Sequence, residues 1–401
     1  MNLKKKLGTD FKLGRIGKYC VPFLALAFLA CPLMNVAQAG PIIEFDDDSL
    51  LKIDYKGQFR LSQRDTGFGA ADDESAMTMG FRRNRLAFIG SKGDMYGIYV
   101  QADYIESGAL GTLGVGSPSM YPTDDYFTLI DAQIRIKFND MLRLRMGKYK
   151  ASVTRENLED CYQPLTLDRS RFLAEPFVLS RDTGFTLWGN LLEDKLQYKI
   201  DFLEGKPANQ DSLSSNLRNS VRVHYSILGT ESGYGYRGTY LGKKTVLTIG
   251  AAMQSEAEVV TDGGTDTADY SATTVDIFGE FPLSFGTITA SAAMVDYSLD
   301  DATGAGSSTG LSDQRDGMYI KLGYMLADMP LQFFVRNETW TLANFDGVAE
   351  HELTWMGVGL NYYIDGQNSK FTLESSSVSF DDAAATKEDS SDIVFQYQLM
   401  F

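Results

Sequence analysis

The sequence is poor in the residues on which most enzymatic chemistry depends. It holds three cysteines and two histidines in 401 residues. Cys20 and Cys31 fall in the N-terminal leader, so Cys161 alone remains and no internal disulfide can form. No His or Asn beside Cys161 would activate it as a nucleophile, and it reads as a small, half-buried side chain. His224 and His351 stand without a flanking catalytic motif, which argues against a lipase or protease, and no metal or cofactor is expected. Basic charge is also in short supply. There are 37 Lys and Arg against 53 Asp and Glu, a net charge of −16, which excludes nucleic acid as a natural partner. After Gly40 no apolar run is long enough for a transmembrane helix, helical periodicity is almost missing, and no solenoid repeat occurs.

The N-terminus carries what the rest lacks. Lys4, Lys5, Lys6, Lys12, Arg15 and Lys18 precede the apolar run Val21–Met34, and Ala37-Gln38-Ala39 offers a signal-peptidase site. Residues 1–39 are therefore expected to be a signal peptide cleaved after Ala39, leaving 40–401 as the mature protein. Phe28-Leu29-Ala30-Cys31 is a poor lipoprotein site, because an aromatic residue stands three before the cysteine. Six basic residues and one acidic residue leave with the signal, which takes the net charge from −16 to −21.

In the mature chain, apolar and polar residues alternate with period two. Leu51, Ile53, Tyr55, Phe59 and Leu61 share one face of the first such segment, and Lys52, Asp54, Lys56, Gln58 and Arg60 share the other. About sixteen segments have the length of a tilted membrane-spanning strand. They lie near 51–62, 80–91, 95–105, 126–138, 141–150, 182–190, 195–204, 218–228, 244–254, 272–281, 285–297, 315–326, 330–342, 350–364, 369–380 and 390–401. Their connections alternate long and short. Long ones lie at 63–79, 106–125, 151–181, 205–217, 255–271, 298–314, 343–349 and 381–389; tight turns such as Asn139-Asp140 lie between. The exception is 229–243, where either the turn is long or the next strand starts near Gly238. This parity predicts an all-β fold, an antiparallel transmembrane barrel of about sixteen strands in a bacterial outer membrane, because only a closed ring satisfies the backbone in lipid. Ile393, Phe395, Tyr397, Leu399 and Phe401 share the outward face of the last segment, and Phe395, Tyr397, Leu399 and Phe401 are the candidate membrane-assembly signal.

Period two turns a set of basic residues toward the lumen. The candidate anion pathway comprises Lys52, Lys56, Arg60, Arg83, Arg85, Arg135, Lys137, Arg143, Arg145 and Arg222, with Arg82 placed near the outer rim. Lys199, Lys321 and Arg336 point the same way. Inward carboxylates, among them Asp54, Asp103, Asp131, Asp201, Asp276, Glu280, Glu338 and Glu374, are more scattered. The longest irregular stretch, 151–181, carries Arg155, Arg169, Arg171 and Arg181 among Glu156, Glu159, Asp160, Asp168 and Glu175, and a compact fold rarely keeps such a loop without use for it.

Phe81-Arg82-Arg83-Asn84-Arg85-Leu86 with Gly90 and Asp94 resembles the second strand and turn of the phosphate-selective porin O and P family. Leu144 to Lys150 is similar to the strand that enters that family's constriction loop, Phe172 to Gly184 to the loop exit, and Gly238 to Lys244 to a later strand. The resemblance implies a homotrimeric porin whose third loop, here about 151–181, folds into the channel; Arg155, Arg169 and Arg171 are then the candidate pore-facing charges of this constriction loop, and Arg181 closes it. The external loops, as at Asp72-Asp73-Glu74 and Asp381-Asp382, are acidic and offer no lysine funnel, so the resemblance implies a porin more directly than a phosphate channel. The expected function is passive diffusion of small hydrophilic solutes with a preference for anions. A general, cation-tolerant porin and a structural or receptor barrel are the alternatives. Outer-membrane lipid and the permeant solute are the expected partners.

Overall fold

The computed structural model describes residues 40–65, 75–105, 126–170, 181–205, 216–261, 267–299, 316–345, 348–380 and 389–401. The expected signal segment and Arg171 lie outside them. The strands are β1 (Ile42–Asp46), β2 (Ser49–Asp65), β3 (Ser75–Lys92), β4 (Tyr96–Ile105), β5 (Tyr126–Lys137), β6 (Arg143–Lys150), β7 (Arg181–Leu191), β8 (Leu196–Leu203) and β9 (Arg218–Leu228). They continue as β10 (Val246–Thr261), β11 (Thr267–Leu283), β12 (Gly286–Leu299), β13 (Asp316–Leu326), β14 (Leu331–Phe345), β15 (Val348–Asp365), β16 (Ser369–Phe380) and β17 (Ser390–Met400). Among the described residues the helix α1 (Arg155–Leu158) has four residues, and none is long and apolar enough to cross a membrane.

From β2 to β17 each strand pairs antiparallel with the next, and β17 closes on β2 with Phe395 opposite Leu61. The ring has sixteen strands, and each matches one of the segments read from the sequence. The reading missed β1, which pairs with the part of β2 that β17 does not reach: Ile42 faces Lys52, whereas the β17 register stops at Met400 opposite Lys56. It also overestimated the connection at 343–349, because β14 and β15 pair as far as Phe345 opposite Val348.

Alternation sets the two faces. On β13, Met318, Ile320 and Leu322 are 42%, 46% and 48% exposed, while Tyr319 and Lys321 between them are buried. A water-soluble sheet would bury the first set; a barrel in lipid turns it outward. The lumen face is less polar than the sequence pattern suggests. Phe278, Phe334, Trp340 and Trp355 point inward and are buried, with Phe278 under Arg155 and Trp355 under Arg336. Two local irregularities matter for the interior. A bulge leaves Arg82 without a partner in β2, since Gln58 faces Arg83 and Phe59 faces Phe81. In β6, Gly147 has φ +108°, and a Cβ there would lie 2.1 Å from the Ala132 carbonyl oxygen.

Candidate functional site

The segment 151–170 enters the interior from the long-loop end. Thr154 caps α1, its hydroxyl accepting from the Asn157 amide at 2.9 Å. From there the segment bonds to inward side chains around the ring. The Ser152 amide donates to Asp201 on β8, Glu156 pairs with Lys321 on β13, and the Ser170 hydroxyl donates to Glu338 on β14. Asn361 on β15 donates to the Leu165 carbonyl, the Leu167 amide donates to Glu374 on β16, and Gln398 on β17 donates to the Tyr162 carbonyl. Asp168 then meets the arginines of β2 and β3: Arg60 at 2.6 Å, Arg83 at 3.0 Å and Arg82 at 3.4 Å. The bulge allows Arg82 and Arg83, adjacent in sequence, to reach the same carboxylate, which corrects the placing of Arg82 near the outer rim.

A second intrusion comes from the short-turn end. The connection between β9 and β10, residues 229–245, is long, and β10 begins at Val246 rather than near Gly238. The Gly238–Lys244 motif therefore lies in a connection and not in a strand. This connection runs against the crossing segment. Asp160 and Tyr236 share an amide–carbonyl bond of 3.1 Å, the Tyr236 amide donates to the Leu158 carbonyl, and the Gly238 amide donates to the Gln163 carbonyl. A Cβ on Gly238 would lie 2.6 Å from the Leu165 nitrogen, so the two backbones meet because that residue has no side chain. Tyr149, Leu158, Trp188, Leu203, Tyr234 and Tyr236 close the contact as an apolar cluster.

Between these intrusions and the wall from β2 to β7 lies a cavity of about 390 Å³. Lys56, Arg85, Arg135, Arg145, Lys150, Arg181 and Arg237 reach it, against Asp131 and Asp160. Arg85 is paired with Asp103 and Arg181 with Asp131. The other five basic groups make no ion pair with a described carboxylate. Their cationic groups rest instead on rings and neutral oxygens: Arg145 lies 3.5 Å from the Tyr234 ring centre, Arg135 lies 4.9 Å from that of Tyr99, and Lys150 donates to the Glu159 carbonyl. Tyrosine faces hold Lys56, Arg135, Arg145 and Arg237 in place without cancelling their charge.

Other predicted residues fall elsewhere. Arg60 and Arg83 are taken up by Asp168, and Arg222 is buried against Asp276 and the Val153 carbonyl. Lys52 pairs with Asp54, and Lys137 and Arg143 share Asp140 at the short-turn end. Arg155, expected to face the pore, is wholly buried on Glu231 and does not reach the cavity. Arg169 donates to the Glu156 and Asn157 carbonyls and so ties the segment to itself. The sequence reading missed Tyr99, Tyr162, Tyr234, Tyr236 and Arg237 as cavity residues. The signal for the last three was the unexplained length of 229–243 and the glycines within it. Phe395, Tyr397 and Leu399 stand on the outer face of β17 and Phe401 beside Tyr55, with Phe371 stacked on Phe395 at 5.4 Å.

Burial pushes Glu159 up to about 7, even with Arg155 nearby. Its ordinary value is 4.5. The folded segment thus keeps a proton that the unfolded chain releases. That contribution to stability is complete below the ordinary value and is lost as pH rises through about 7. The barrel is for this reason expected to unfold at a lower temperature at pH 8 than at pH 5, and Glu159→Gln to abolish the difference. Equal pH dependence in the variant would contradict this.

A closed sixteen-stranded ring, apolar outside and crossed inside by a loop, is an outer-membrane porin barrel. The family described as phosphate-selective porin O and P matches residues 53–401, and the chain belongs to it. Solved structures with the same fold include the anion-selective porin from Comamonas acidovorans, at TM-score 0.56 and 10% identity, covering 88% of this chain and 100% of that one. The outer membrane channel DcaP of Acinetobacter baumannii aligns at TM-score 0.52 and 13% identity, covering 90% and 100%. OmpF of Salmonella typhi, solved in complex with daunomycin, aligns at TM-score 0.53 and 13% identity, again covering 90% and 100%. No curated protein matches the chain.

Proposed function

We propose that this porin lets small hydrophilic solutes diffuse passively across the bacterial outer membrane, with a preference for small anions such as phosphate. The observation that carries the reading is the cavity between the crossing segment and the β2–β7 wall, with seven basic side chains against two acidic ones. Charge of one sign lining a low-dielectric passage concentrates the opposite ion. Solute transfer here needs no bond chemistry, and no catalytic role is assigned. A mature chain beginning at Gly40 and a homotrimeric assembly complete the proposal; an OmpT of Vibrio cholerae with the same fold was solved as a trimer.

Cys161 offers a native probe, because it lines the cavity and is the one cysteine among the described residues. Burial opposes its ionisation, yet Arg169, Lys150, Arg83 and Arg85 hold the thiol well below its ordinary range. An anionic methanethiosulfonate is expected to label it about tenfold faster than a cationic one and to lower conductance as it reacts. Cys161→Ser should abolish both effects. Equal rates, or a faster cationic reagent, would contradict the proposal.

A further inference from the structure

We propose that Glu231, on the connection between β9 and β10, sets the width of the passage by holding Arg155 and, through it, the crossing segment. The inference rests on the reading of the cavity as the solute path. Arg155 presents its planar fork to both oxygens of Glu231, Nη1 to Oε2 at 2.7 Å and Nη2 to Oε1 at 2.8 Å. Both groups are buried. The remaining capacity of the carboxylate is also filled: Tyr240 and Thr248 donate their hydroxyls to it, and His224 Nε2 lies 3.3 Å away. The guanidinium is sandwiched between Phe278, 4.0 Å from the ring centre, and Tyr236, at 4.8 Å. Its Nη2 also donates to the Arg237 carbonyl at 3.2 Å.

Position gives this ion pair its leverage. It joins two intrusions that enter the barrel from opposite ends and are 76 residues apart in sequence. Just beyond Arg155 the chain supplies Leu158, Asp160, Cys161 and Tyr162 to the cavity wall; just beyond Glu231 it supplies Tyr234 and Arg237. Among the side chains that join the two intrusions, this pair supplies the charged contact, beside the backbone bonds at Leu158, Asp160 and Gln163. Neither member touches the cavity itself, so each acts by position and not by contact with solute. Breaking a buried pair at one member leaves the other charge uncompensated, and the strain falls on the backbone bonds between the two intrusions.

The test is single-channel recording of the whole protein. Glu231→Gln keeps the shape and removes the charge. It is expected to raise conductance about twofold and increase open-channel noise, while the sign of ion selectivity stays that of the parent. Arg155→Gln should do at least as much, since it also removes the 3.5 Å pair with Glu159, and the double variant should do no more than Arg155→Gln alone, because the interaction with Glu231 is already gone. A fully additive double variant, or a Glu231→Gln channel with unchanged conductance and noise, overturns the inference. If Glu231→Gln does not form the barrel, Arg155→Lys carries the test. It keeps the charge and loses the fork, and is expected to raise conductance by less; parental conductance overturns the inference. Failure of the underlying reading is recognised separately. There, labelling Cys161 in the parent protein would leave conductance unchanged, whatever Glu231 does.

Discussion

Exchanging Lys56, Arg135 and Arg145 together for glutamate is expected to abolish the preference for anions and turn it into a weak preference for cations. The three lie on β2, β5 and β6, line the cavity, and make no ion pair with a described carboxylate. Seven basic and two acidic side chains around the cavity become four and five. Selectivity in a passage of this size follows the sign of its fixed charge, since walls of low dielectric leave each charge poorly screened. The barrel should survive, because none of the three carries a buried ion pair. Reversal potentials in a salt gradient read the outcome. A variant as anion-preferring as its parent would place the selective step elsewhere in the protein.

Asp168→Asn is expected to loosen the crossing segment and sharpen anion preference at once. One carboxylate pairs with three guanidinium groups and offsets one of their three charges, and Arg60 and Arg83 are buried with it. Burial favours the protonated acid, but Arg60, Arg82 and Arg83 hold Asp168 well below the usual carboxylate range. Its contribution is present above its ordinary value of 3.8 and is lost only as pH falls through a folded value far below that, so neutral and mildly acidic media leave the latch closed. Removing one partner of a buried pair costs on the order of 3–5 kcal/mol. The heat needed to unfold the barrel should fall, and the reversal potential should move further toward the anion value. A variant unchanged in both would show that the three arginines are held by something other than Asp168.

How much of this was legible in the sequence depended on the range of the interaction. Strand alternation is local, so β2 to β17 and the outward faces of β2 and β17 could be read from residue types alone. Period two also turned Arg85, Arg135 and Arg145 inward, where they line the cavity. It failed where the period breaks: the bulge at Arg82 brings a residue assigned to the rim onto Asp168. Pairing between distant segments left no local trace. Nothing near Arg155 marks Glu231 as its partner, and nothing near Arg60 marks Asp168. Inward Phe278, Trp340 and Trp355 defied the rule that the lumen face is polar, because apolar rings are stable inside wherever cations and backbone pack over them. β1 was missed because five residues give too little alternation to register. The connection at 229–245 did leave a trace, an overlong turn rich in glycine and tyrosine. That combination suits a backbone that must lie flush against another one inside a barrel.

The reversal potential of the purified protein in a planar bilayer, under a potassium chloride gradient, tests the central claim most directly. The arrangement of Lys56, Arg135, Arg145, Lys150 and Arg237 around the cavity predicts the sign of a chloride-preferring channel, retained when phosphate or a dicarboxylate replaces chloride. A reversal potential of the potassium sign, or a protein that inserts and carries no current, would contradict it.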